Sequence, residues 1–105
     1  MSENVKELTA DNFDSFVKKG ETVIDFWAEW CGPCKYLSPI VEKIASENKK
    51  IKFGKVDVDS QTDLAQRFQV MSIPTLLFFK DGEMVNRTSG AMPKEDLEEE
   101  IGNVF

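Results

Sequence analysis

The spacing of apolar positions changes along the chain and divides it into strands and helices. Val5 to Leu8 reads as a short opening strand. Phe13, Phe16 and Val17 then recur at helical spacing and predict a helix over about Ala10 to Lys19. Thr9 suits its N-cap and Gly20 its end. Thr22 to Ala28 is β-branched and aromatic with apolar residues on both faces, as a central strand requires. A second helix is expected from about Cys34, or just before it, to Asn48, with Leu37, Ile40, Val41 and Ile44 along one stripe. Pro39 falls inside this helix and is expected to kink it, because proline removes a hydrogen bond and crowds the preceding turn.

Ile51 to Val58 is the next strand, running out into the polar pair Asp59-Ser60. A short helix follows that turns Leu64, Ala65 and Phe68 inward, with Asp59 or Ser60 as its cap. Val70 to Pro74 is a loop, and Thr75 to Lys80 is another apolar strand. Asp81-Gly82 has the chemistry of a hairpin turn, with Glu83 to Ser89 returning. A last helix over about Lys94 to Val104 sets Leu97, Ile101 and Val104 on one face. Its first turns carry Glu95, Asp96 and Glu98, which suit the positive end of the helix dipole. The order β-α-β-α-β-α-β-β-α predicts an α/β fold. Helical crossovers make parallel pairs, the hairpin adds an antiparallel one, and helices cover both faces of a mixed sheet.

Composition narrows the function. A chain of 105 residues, 41% hydrophobic, predicts a single domain over residues 1–105 with a core of its own. A formal net charge of −6 leaves no basic stripe for nucleic acid. The stretch Met1 to Glu7 lacks the charged-then-apolar order of a signal peptide, and no segment is long enough to span a membrane. Two cysteines in such a chain predict a reducing, cytoplasmic setting in which they are catalytic or metal-binding. Histidine is absent, so proton transfer must use a carboxylate, a lysine, a thiol or water.

Both cysteines lie in Trp30-Cys31-Gly32-Pro33-Cys34-Lys35, where the central strand hands over to the second helix. The unpaired N–H groups at a helix start, together with its dipole, favour an anion, and the thiolate is the reactive form of cysteine. Three readings of the pair compete. A structural disulfide would close so small a ring that it removes only about 2 kcal/mol of chain entropy. A tetrahedral zinc site would need two more ligands from carboxylates or a second chain. Dithiol–disulfide exchange fits best, since Gly32 lets the backbone close and Pro33 fits a helix's first turn. Asp25 is the anomaly of its strand. A carboxyl buried there should have a raised pKa.

The run Phe26-Trp27-Ala28-Glu29-Trp30-Cys31-Gly32-Pro33-Cys34-Lys35, followed by Ile73-Pro74-Thr75 and Lys80-Asp81-Gly82, resembles the thioredoxin family from about Val5 to the C-terminus. The resemblance implies the thioredoxin fold, a mixed five-stranded sheet flanked by four helices. It implies a protein disulfide reductase in which Cys31 attacks, as the more exposed cysteine, and Cys34 resolves, with Asp25 exchanging a proton and Lys55 near it. Substrate would dock on Trp30, Gly32, Pro33, Ile73, Pro74, Gly90 and Ala91, with a cis bond before Pro74. No bound cofactor or metal is implied. The partners would be protein disulfides and a thioredoxin reductase, and the chain a monomer. The family is a standard example of a lowered cysteine pKa and a reducing potential, so the resemblance implies both. Trp27 is expected in the core and Lys55 as an exposed strand lysine. Two departures from the family pattern stand out. Met71-Ser72 replaces residues that are often charged or glycine, and Pro93 replaces a capping hydroxyl before the last helix. An oxidase or isomerase of the same fold, and a binding module with incidental cysteines, are the competing functions.

Overall fold

A computed structural model of the chain describes residues 4–105; the first three residues of the leader reading, Met1 to Glu3, lie outside them. Five strands, β1 (Val5–Glu7), β2 (Glu21–Trp27), β3 (Lys52–Asp57), β4 (Thr75–Lys80) and β5 (Glu83–Ser89), form one sheet in the order β1-β3-β2-β4-β5. β3 pairs in parallel with β1 and β2, whereas β4 runs antiparallel to β2 and β5. Four helices complete the fold: α1 (Phe13–Val17), α2 (Gly32–Glu47), α3 (Thr62–Arg67) and α4 (Lys94–Val104). The predicted order of elements and the mixed sheet are both observed.

Alternation along β2 sorts its side chains into two cores. Val23 joins Phe53, Leu76 and Phe78 under α2 and α4, meeting Leu37, Val41, Ile44, Leu97 and Ile101. Ile24 and Phe26 join Val56, Leu77 and Phe79 on the other face, under Phe13 of α1 and Leu64 of α3. Phe68 closes this second core, with its ring centroid 5.2 Å from that of Phe13 and 5.7 Å from that of Phe79. β2 is covered on both faces because both of its faces are apolar. That burial fixes the position of the loop that leaves its carboxyl end.

Two caps differ from expectation. Thr9 does not cap a long helix. Thr9 and Asn12 instead brace a turn, in which the Thr9 amide donates to Asn12 Oδ1 at 2.8 Å and the Asp11 amide to Thr9 Oγ1 at 3.2 Å. The regular helix therefore begins only at Phe13. Neither Asp59 nor Ser60 caps α3, whose N-cap is Gln61. Asp57 organises that turn by accepting the Asp59 amide at 2.9 Å. α2 runs unbroken through Pro39. Pro93 stands at the N-cap of α4 and makes no side-chain cap bond. The Asp81-Gly82 turn has both residues at positive φ, 50° and 90°, the geometry of a type I′ hairpin.

Candidate active site

The site forms where β2 ends and α2 begins. Cys31 is the N-cap of α2, extended at φ −91° and ψ 113°, and its Sγ accepts the Cys34 amide N–H at 3.2 Å. A sulfur thus fills the place that a serine or aspartate oxygen usually takes, satisfying one of the orphan donors of the first turn. Gly32 and Pro33 occupy the first two helical positions, where proline's missing N–H costs nothing. Cys31 and Cys34 are joined by a disulfide with their Cα atoms 5.2 Å apart. Cys31 is 4% exposed and Cys34 1%. Both are covered, so exposure barely separates them, whereas the hydrogen bond from the Cys34 N–H to its sulfur singles out Cys31.

Beside the disulfide, the Ile73–Pro74 peptide bond is cis, and the Ile73 carbonyl oxygen lies 3.8 Å from Cys31 Sγ. The Gly90 amide donates to the Pro74 carbonyl at 2.8 Å. That bond places Gly90, at φ 88°, and Ala91 next to the loop. Trp30 is 69% exposed and held by its indole N–H, which donates to Asp59 Oδ2 at 2.8 Å. Trp30, Val58, Val70, Met71, Ser72 and Ile73 line a cavity of about 190 Å³. Of these, Met71 is 92% exposed. An apolar groove therefore runs past the disulfide.

On the face of β2 that α2 covers, Asp25 is 3% exposed, and its Oδ1 has no hydrogen-bond partner in the protein. Burial pushes its carboxyl up to about 7, and the nearby charge of Lys55 acts in the opposite direction. Lys55 is half-buried rather than exposed, and Trp27 is half-buried rather than core. The two meet, with Lys55 Nζ 5.3 Å from the Trp27 ring centroid. A second cavity of about 240 Å³, lined by Trp27, Ala28, Glu29, Cys34, Lys35 and Ser38, flanks the inner cysteine. Among the described residues no group of three or more His, Cys, Asp or Glu side chains gathers to hold a metal ion. No described helix is long and apolar enough to cross a membrane.

The groove residues gather around the disulfide, and Asp25 and Lys55 lie side by side on the neighbouring strands β2 and β3. Sequence reasoning missed Asp59, Val58 and Val70 as parts of the site. Asp59 carries no motif of its own, and only its contact with Trp30 reveals it.

A disulfide at the N-terminus of a helix, beside a cis-proline loop on this sheet, defines a protein-disulfide oxidoreductase of thioredoxin fold. Sequence comparison agrees, since the Thioredoxin family model matches residues 4–103. A thioredoxin of Staphylococcus saprophyticus is 46% identical over 92% of this chain and 94% of its own length. A putative thioredoxin 2 of Streptomyces coelicolor is 50% identical over 91% of this chain and 72% of its own. The solved thioredoxin of Malassezia sympodialis superposes with a TM-score of 0.84 at 39% identity, covering 95% of this chain and 90% of that one. The chain belongs to the thioredoxin family. It carries out dithiol–disulfide exchange through Cys31 and Cys34.

Proposed function

We propose that the chain is a single-domain protein disulfide reductase in which Cys31 attacks and Cys34 resolves. The observation that carries the assignment is the Cys34 amide donating to Cys31 Sγ at 3.2 Å. In the reduced protein the same N–H and the helix terminus favour a thiolate on Cys31 over one on Cys34. That thiolate attacks a substrate disulfide, forming a mixed disulfide and releasing one substrate thiolate. Cys34 then gives its proton to the Asp25 carboxylate and attacks Cys31 Sγ. The second substrate thiolate leaves, and the Cys31–Cys34 disulfide forms. Asp25 suits this role because a carboxyl held near 7 can both take and return a proton at neutral pH. Lys55 tunes it by charge.

Trp30, Gly32, Pro33, Ile73, Pro74, Gly90 and Ala91 form the docking groove for an extended segment of the substrate protein. A separate thioredoxin reductase returns two electrons to the disulfide after each turnover. In this reading the chain acts as a monomer. A dithiol donor needs a compartment where thiols stay reduced, which favours the cytoplasm. The acidic surface, at net charge −6, suits protein partners rather than nucleic acid or an anionic membrane.

The test is covalent trapping with an oxidised protein substrate. Cys34→Ser is expected to accumulate the mixed disulfide, and Cys31→Ser is expected to accumulate none. Equal trapping by both variants would show that the roles are misassigned.

A further inference from the structure

Asp25 and Trp27 stand two residues apart on β2 and therefore face the same side of the sheet. Lys55 is the register partner of Asp25 on the adjacent parallel strand β3, which puts its side chain on that side too. Its ammonium lies toward Trp27, 5.3 Å from the ring centroid, within the range where an aromatic face attracts a cation. Other charged groups surround this trio. Glu7 is the register partner of Lys55 on β1, and Asp57 is the partner of Trp27 on β3. Glu29 lines the cavity that Trp27 shares with Cys34 and Lys35, the two titratable groups that α2 contributes there. β4 contributes apolar Leu76 opposite Asp25. Among the described residues Lys55 forms no ion pair with any of these carboxylates.

We propose that Trp27 is a positioning residue for the exchange reaction. Its ring seats the Lys55 ammonium and so fixes the field at Asp25, and with it the pH at which Asp25 accepts the Cys34 proton. The inference rests on the role given to Asp25 above. The direction follows from electrostatics: a cation held near a carboxyl favours its charged form, and a lysine free to swing into water favours it less. Burial alone would leave Asp25 a still weaker acid, since the Lys55 charge opposes it. Trp27 also borders the cavity beside Cys34, so a purely structural role is the competing account, and the test must separate the two.

The experiment is an NMR titration of the Asp25 carboxyl in Trp27→Leu, Lys55→Met and the double variant, read as a double-mutant cycle. Lys55→Met is expected to raise the midpoint by roughly one pH unit and Trp27→Leu by roughly half a unit. The double variant should move no further than Lys55→Met alone. Trp27→Phe, which keeps a ring, should stay close to the parent. The pH profile of mixed-disulfide resolution should shift with the Asp25 midpoint. If Trp27→Leu shifts Asp25 equally with and without Lys55, Trp27 acts by excluding water and the proposal fails. If Lys55→Met moves the midpoint and Trp27→Leu does not, the proposal also fails while the Asp25–Lys55 reading survives. If neither variant moves it, the Asp25–Lys55 reading itself is wrong. Should Trp27→Leu not fold, the parent protein still decides: ring-current shifts of the Lys55 ε-methylene protons support the seat, and their absence overturns it.

Discussion

The indole N–H of Trp30 donates to Asp59 Oδ2 at 2.8 Å, across 29 residues of sequence. One residue belongs to the loop before α2 and the other to the turn after β3. The bond holds an exposed aromatic side chain at a fixed angle over the groove. A preset side chain loses less freedom when substrate arrives.

Asp59→Ala should therefore raise KM for a protein disulfide about fivefold, the effect of losing ~1 kcal/mol of one hydrogen bond. kcat should barely change, because the cysteines are untouched. Steady-state kinetics on an oxidised protein substrate measures both. An unchanged KM would mean that Trp30 does not depend on Asp59.

Asp25 should make stability fall as pH rises. Well below 3.8 its carboxyl is neutral in both the folded and the unfolded chain and contributes no difference. Between the usual value of 3.8 and the folded value of about 7 the unfolded chain ionises first, which favours unfolding. Above 7 the accumulated loss is constant, at about 4 kcal/mol for a shift of this size. Asp25→Asn removes that slope, so the variant should match the parent near pH 3 and exceed it near pH 8. Urea unfolding of both proteins across this range decides it, and parallel curves would count against the burial.

Two glycines should respond in opposite directions to alanine. A Cβ on Gly54 would stand 2.7 Å from Leu8 Cδ1 and 3.1 Å from Phe16 Cε2, in a part of the core where Leu8 is fully buried. Gly54→Ala should cost about 1–3 kcal/mol by overpacking. A Cβ on Gly102 meets nothing within 4 Å inside α4, so Gly102→Ala should stabilise by about 0.4–1 kcal/mol. Denaturant midpoints test both, and two shifts of the same sign would contradict the packing argument.

The direction of electron flow is set by the reduction potential of the Cys31–Cys34 pair. Equilibration with a dithiol buffer, followed by Trp30 fluorescence or thiol alkylation, should place it well below the glutathione range. A value near that of disulfide isomerases would mean that the pair donates its disulfide instead.

Most of the fold was legible in the sequence because long apolar runs leave few choices. β2 and β4 were found within a residue or two, as apolar strands bounded by turns. The caps were harder to read. Thr9 and Asp59 both have the chemistry of an N-cap, yet Thr9 braces a turn with Asn12, and Asp59 is taken by Trp30. Which of several oxygens meets an amide depends on tertiary distance, which local sequence does not encode. The cysteine pair and the Ile73-Pro74 loop were visible as motifs. The meeting of Lys55 and Trp27 was not, since it depends on the register between two parallel strands joined by a sixteen-residue helix.

The atom that starts α2 is also the atom that reacts. A helix usually keeps one cap throughout its life, but here the cap is a sulfur that the proposed exchange takes through disulfide and thiol forms. The Cys34 amide that donates to it therefore ties the start of the helix to the same sulfur that exchanges electrons, so that folding and chemistry share one hydrogen bond.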